Sequence, residues 1–295
     1  MDLNQPMMSR VKTGLGFIAA LDQSGGSTPK ALSAYGVDAS EWDGDNEMYE
    51  LIHAMRSRIV QSKEFNGDRV IGAILFEDTM NRAIDGVPTA KLLWERKGVV
   101  PFLKIDKGLE LAADDVQLLK PIPDLTDLLQ RAVAHGIFGT KQRSVVHGAN
   151  RDGIGKVVEQ QMDLAHDVLS HGLVPIIEPE IDIHIPDKKE AESILLDELL
   201  SGLGRLREDG SRVMLKVSLP TEPNLYKPLL THPRVLRVVA LSGGYSRDQA
   251  NANSGIIASF SRALTEGLSS QQTEAEFDTQ LGASIGCIYE ASTSR

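Results

Sequence analysis

Eight short apolar runs, separated by amphipathic stretches, constrain this chain more than any other feature. They are GFIAALD (16–22), VIGAILFED (70–78), VVPFLKID (99–106), IFGTKQR (137–143), LVPIIEPE (173–180), RVMLKVSL (212–219), VLRVVALSGG (235–244) and IIASFSR (256–262). Their near-continuous apolar character is that of parallel strands buried on both faces. Between them lie helical patterns such as EMYELIHAMRSRIVQ (47–61), DLTDLLQRAVAHG (124–136), GKVVEQQMDLAHDVLSHG (155–172) and AESILLDELLSGLGRL (191–206). Gly136 and Gly172 stand where a helix should end on a glycine shortly before the next strand. Eight alternations of strand and helix fit a closed barrel better than an open doubly wound sheet.

The length of 295 residues allows one large domain or two ordinary ones. A single α/β barrel takes about 250 residues, and neither a low-complexity linker nor a short-period repeat divides this chain. The fold expected is therefore α/β, a single (β/α)8 TIM barrel over 1–295. It carries a short N-terminal extension (about 1–15) and a C-terminal helical segment (about 263–295).

Composition closes off several classes of function. A net charge of −10 argues against a surface for polyanions such as nucleic acid, yet leaves room for a small anion in a local basic pocket. The one cysteine, Cys287, excludes an intrachain disulfide and a multi-cysteine metal site, and fits a reducing compartment. The opening MDLNQPMMSRVKTG lacks the apolar core of a secretory signal. No apolar run approaches the roughly 20 residues that span a bilayer, so the expected address is the cytoplasm.

The polar residues inside the apolar runs gather at one end. Asp22, Glu77, Asp78, Lys104, Asp106, Lys141, Arg143, Glu178, Glu180, Lys216 and Ser242 all fall at or near C-terminal strand ends, the face on which barrel active sites are built. Lys216 is the most telling. Strand parity groups it with Met214 and Ser218, leaving Val213, Leu215, Val217 and Leu219 for the layer against the helices. A lysine pointing into a barrel is desolvated, which disfavours its charged form, and a neutral amine is the nucleophile that makes an imine with a carbonyl. The other reading is a lysine snorkelling from the strand end. Lys141 shifts the balance, because it brings a second cation to similar depth with Arg143 on its face.

Strand 173–180 supplies carboxylates. Glu178 and Glu180 share a face with Val174 and Ile176, roughly 7 Å apart by strand rise. Such a pair can hold one protonated and one ionised member for proton shuttling, or it can simply partner Lys141 and Arg143. Asp22 closes the first strand and precedes Gln23-Ser24-Gly25-Gly26-Ser27, which reads as a helix cap and anion nest ahead of Thr28-Pro29. Ser242-Gly243-Gly244 repeats that chemistry after strand seven, where barrels commonly hold phosphate. Arg262, after strand eight, can pair with a phosphate bidentately. There is no Walker A motif, GLGF (14–17) is a weak dinucleotide signal, and the seven histidines show no H-x-H or H-E-x-x-H spacing. Neither metal nor cofactor is expected.

Taken together, ALDQSGGS (20–27), ILFEDTM (74–80), LKIDKG (103–108), KQR (141–143), LVPIIEPEI (173–181), MLK (214–216), LSGGYSRDQA (241–250) and FSRAL (260–264) resemble class I, Schiff-base fructose-bisphosphate aldolases, from Gly16 to about Tyr289. The resemblance implies that Lys216 forms the iminium, that Glu178 is the acid/base of imine chemistry, and that Asp22 handles the C4 hydroxyl proton. It implies that Lys141 assists near the carbonyl. Ser242, Gly243, Gly244 and Arg262 match the triose-phosphate clamp, Ser24, Ser27 and Lys104 the other phosphate end, and Arg143 and Glu180 supporting pocket neighbours. The implied partners are a sugar bisphosphate and triose phosphates, with no nucleic acid or membrane. No exposed stripe identifies an oligomer interface.

The chain departs from the animal pattern in having Gln23 for glutamate, Ser261 for glycine and Ala31 for arginine, and in ending soon after CIYEAS. These departures resemble a shorter bacterial-type branch. Two alternatives stand beside the aldolase reading: a Schiff-base aldolase for tagatose or sedoheptulose bisphosphate, and a non-catalytic phosphosugar-binding scaffold.

Overall fold

A computed structural model describes residues 4–206, 209–241 and 253–293. The eight apolar runs become eight strands: β1 (Phe17–Leu21), β2 (Val70–Leu75), β3 (Val100–Lys104), β4 (Gly139–Val146), β5 (Val174–Ile181), β6 (Val213–Ser218), β7 (Val235–Leu241) and β8 (Ile257–Ala258). They lie side by side in chain order, each parallel to the next. The Ala20 amide donates to the Phe260 carbonyl at 3.3 Å and brings the first strand against the end of the last. The result is a nearly closed parallel barrel.

Helices fill the crossovers from β1 to β6 as the periodicity predicts, and one more lies at either end of the chain. They are α1 (Asn4–Thr13), α2 (Gly44–Gln61), α3 (Thr89–Lys97), α4 (Leu125–Ala134), α5 (Arg151–Ser170), α6 (Lys188–Gly204) and α7 (Glu274–Thr293), with shorter turns between some of them. Gly136 and Gly172 take φ of +78° and +77°, the left-handed conformation that stops α4 and α5 without a Cβ clash. Among the described residues, no helix is long and apolar enough to cross a membrane.

Side chains alternate between two environments. Ile18, Ile74, Phe102, Ile176, Met214 and Val239 pack together inside the barrel. Phe17, Ala19, Leu21, Ile177, Leu215 and Val217 meet the helices outside. Fully burying each large apolar side chain contributes about 1.5–3 kcal/mol. Phe102 fits because its neighbours are glycines: a Cβ on Gly72 would lie 2.8 Å from its ring.

The N-terminal extension has a structural task. Met7 and Val11 of α1 pack with Ile71, Val100 and Leu236 at the strand starts and plug the barrel floor. Arg237 caps this helix by donating to the carbonyls of Lys12 (2.7 Å) and Gly14 (3.3 Å).

Strand limits differ from expectation at β2, β4 and β8; β2 stops at Leu75, since a short helix begins at Glu77. β4 runs on to Val146 because residues 144–146 find backbone partners on β5, and 145–146 also pair with Val116–Gln117. β8 is only two residues long, since the chain turns at Ser261 into a short helix, Arg262–Thr265. β7 is described as far as Leu241; Ser242, Gly243 and Gly244, expected to follow it at the site, lie outside the described residues.

Candidate active site

A cavity of about 750 Å³ opens at the C-terminal ends of the strands, within the usual size of a small-molecule site. Asp22, Ser24, Ser27, Lys104, Lys141, Arg143, Glu178, Glu180, Lys216 and Arg262 all line it. The site residues expected from the sequence therefore converge on one cavity, apart from the three at 242–244.

Its centre is a chain of alternating charges. Lys216 Nζ lies 3.0 Å from Glu178 Oε1, Lys141 Nζ lies 3.1 Å from Glu178 Oε2, and Lys141 Nζ lies 2.7 Å from Asp22 Oδ2. Lys216 belongs to β6, Glu178 to β5 and Lys141 to β4, with Asp22 just past β1. Lys141, Glu178 and Lys216 are all buried. Inward alternation places them there, since Met214 and Ile176 on the same faces belong to the barrel interior. Lys216 does not snorkel.

Burial alone would raise Asp22 and Glu178. The nearby ammoniums, Lys141 foremost and then Lys216, outweigh it and hold both carboxyls below the usual range. Burial likewise would lower Lys141, but Asp22 and Glu178 outweigh it and hold its proton more tightly than in an ordinary lysine. At rest Asp22 and Glu178 are carboxylates and Lys141 is an ammonium.

Of the two readings of Glu178 and Glu180, the geometry favours partners for cations over a shared proton. The two share a face, but each has its own cation: Glu180 Oε2 accepts from Arg143 Nη1 at 2.8 Å, while Glu178 faces the two lysines. The pairing is diagonal across the strands. Arg143 stands in register with Glu178 but bonds Glu180, one pleat further on.

The loop after β1 leads into the Thr28–Ala34 helix as expected, with Ser27 at its N-cap position and Pro29 in its first turn. The Ser27 hydroxyl, however, donates to the Ser24 carbonyl at 2.8 Å and accepts from the Ser24 amide at 2.9 Å, tying the turn to itself and making no side-chain cap bond to that helix. Asp22, just before this loop, turns its carboxylate to Lys141. Lys104 pairs with Asp106 Oδ1 at 2.6 Å. Asp106 Oδ2 lines up with no hydrogen-bond partner. Glu77 and Asp78, at the end of β2, stay out of the cavity: Glu77 pairs with Lys107 and Arg131, Asp78 with Arg82.

Two residues that matter to this geometry escape a reading by strand ends. Gln161 on α5 accepts from the Glu178 amide at 3.1 Å and donates to Ser144 Oγ at 3.1 Å, fixing β5 behind the face it turns to the cavity. Arg56 on α2 reaches the carbonyl of Gln23 at 2.5 Å and Thr79 Oγ1 at 2.8 Å. A signal for both was present. Each is a polar residue on the buried stripe of its helix, Arg56 after Ile52 and Met55, Gln161 after Val157 and Val158.

Comparison with known proteins agrees with this geometry. The family model for glycolytic class-I fructose-bisphosphate aldolase matches residues 2–191. The chain belongs to that family. Fructose-bisphosphate aldolase class 1 of Porphyromonas gingivalis is 54% identical over 294 residues, covering 98% of this chain and 99% of that protein. Its counterpart in Synechocystis sp. is 55% identical over 293 residues, covering 98% and 97%. For the fold alone, a solved structure of fructose-bisphosphate aldolase from Plasmodium falciparum superposes with a TM-score of 0.76 at 20% identity, covering 98% of this chain and 94% of that one.

Proposed function

We propose that this protein reversibly cleaves D-fructose 1,6-bisphosphate to dihydroxyacetone phosphate and D-glyceraldehyde 3-phosphate through an imine on Lys216. The observation that carries the reading is the buried sequence of charges Lys216–Glu178–Lys141–Asp22 inside the cavity. Glu178, 3.0 Å away, accepts the proton that Lys216 must lose to become a nucleophile. The amine attacks the ketose C2. Glu178 then returns the proton to the carbinolamine hydroxyl, which leaves as water, and an iminium remains.

Asp22 next takes the C4 hydroxyl proton. The C3–C4 bonding electrons move into the iminium, forming an enamine and releasing glyceraldehyde 3-phosphate. Protonation at C3 and hydrolysis free dihydroxyacetone phosphate and restore Lys216. Lys141 stays an ammonium, orienting both carboxylates and favouring oxyanions on the substrate.

Arg262 and the loop 242–244 hold the triose phosphate, and Ser24, Ser27 and Lys104 serve the other phosphate. Arg143 and Glu180 brace the pocket. Arg262 suits its role: it lines the cavity and makes no ion pair among the described residues. We place the enzyme in the cytoplasm, a setting that suits the exposed free thiol of Cys287.

Turnover of fructose 1,6-bisphosphate in excess chelator tests the reading. The rate is expected to be unchanged, because the electron sink is an iminium. Loss of activity in EDTA, restored by zinc or cobalt, would overturn it. Arg262→Ala is expected to raise KM more than it lowers kcat, since a guanidinium–phosphate pair forms in both ground and transition states. An unchanged KM would move the phosphate elsewhere.

A further inference from the structure

The seam between β8 and β1 is thinly held. β8 contributes two residues to the sheet, and among the described residues one backbone bond outside the strand ladders, from Ala20 to Phe260, crosses to β1. Immediately above that bond, Gln23 Nε2 donates to Ser261 Oγ at 2.5 Å. Ser261 in turn begins the turn that carries Arg262, its carbonyl accepting from the amides of Leu264 and Thr265. Gln23 thus joins two loops: its chain neighbour is Asp22, and its side-chain partner is the residue before Arg262.

Behind Gln23 sits Arg56, buried and with no carboxylate in contact among the described residues. Its Nη2 donates to the Gln23 carbonyl at 2.5 Å and approaches Gln23 Oε1 at 3.4 Å, while Nε has no partner. A buried guanidinium without a contacting carboxylate destabilises the fold. Here its donors hold one loop residue at both its backbone and its side chain. Burial lowers the Arg56 pKa to about 10, so the cation persists at neutral pH. Gln23 and Ser261 are also two positions at which this chain departs from the animal pattern, and in the fold they touch.

We infer that Gln23, anchored by Arg56 and clasped to Ser261, is a positioning residue that sets the Arg262 arm relative to Asp22. The clasp acts on substrate affinity because it fixes where the phosphate-binding cation stands. It takes no part in proton transfer. The inference rests on the assignment of Arg262 to the phosphate.

Kinetics of Gln23→Ala, Ser261→Ala and the double variant test it, with Arg262→Ala alongside. Each single variant is expected to raise KM for fructose 1,6-bisphosphate by about 2- to 10-fold, the range of one net hydrogen bond, with a smaller change in kcat. The double variant is expected to be no worse than the worse single one, because both remove the same bond. Gln23→Glu keeps an acceptor for Arg56 and for the Ser261 hydroxyl and is expected to stay near the parent KM. Multiplying KM effects in the double variant, or an unchanged KM in Gln23→Ala, would overturn the clasp. If Arg262→Ala leaves KM unchanged, the phosphate assignment fails. If Arg262→Ala raises KM and Gln23→Ala does not, only the clasp fails.

Discussion

Incubation with dihydroxyacetone phosphate and borohydride is expected to attach one triose phosphate per chain, on the peptide containing Lys216. Borohydride reduces an imine to a stable amine, so the label marks the nitrogen that carried the substrate. Four lysines line the cavity, and their partners separate them: Lys107 is tied to Glu77 at 2.6 Å. Lys104 is tied to Asp106 at 2.6 Å, and Lys141 is held by two carboxylates that secure its proton. Lys216 faces one carboxylate, Glu178, which can accept its proton and later return it. Lys216→Met should abolish labelling and reduce turnover on the scale of roughly 10⁶-fold seen when a covalent nucleophile is removed. Label on Lys104 or Lys141 would sink the assignment.

Asp22→Asn should separate imine formation from carbon–carbon cleavage. Breaking C3–C4 requires a group to take the C4 hydroxyl proton, which a carboxylate does and an amide does not. General-base catalysis contributes roughly 10²- to 10⁴-fold, so cleavage should fall by about that much. The borohydride-trapped adduct should survive, because Glu178 still serves Lys216 from the neighbouring strand. Removing Asp22 takes one of two carboxylates from Lys141, so adduct formation is expected to change in rate. A mutant that kept most of its cleavage activity would remove Asp22 from the mechanism.

Much of the site was legible along the chain because a barrel strand has a period of two and an active end. Parity set Lys216 opposite a row of aliphatic residues, which suited an inward lysine beside the snorkelling alternative, and grouped Glu178 with Ile176 and Val174. The same parity also put Glu178 beside Glu180 and suggested a shared proton. The fold divides the two instead, since the cations on β4 are offset by one pleat and each glutamate meets its own. Glu77 and Asp78 mislead in the opposite sense. They follow an apolar run, yet a short helix begins at Glu77 and turns them toward Lys107, Arg131 and Arg82.

The sequence by itself determined the eight strands, amphipathic helices between them, which residues share a face on strands 173–180 and 212–219, and the chemical types at the strand ends. These follow from local periodicity, which depends on the spacing of residues along one element. Which lysine meets which carboxylate was decided by the tertiary structure, because strand register and barrel closure set distances between residues on different strands, tens to more than a hundred positions apart. Lys141 reaches Asp22 only once β4 and β1 belong to the same barrel. Arg56 and Gln161 were decided there too: a polar side chain on an apolar stripe acquires its role from the carbonyl or amide that packing sets opposite it.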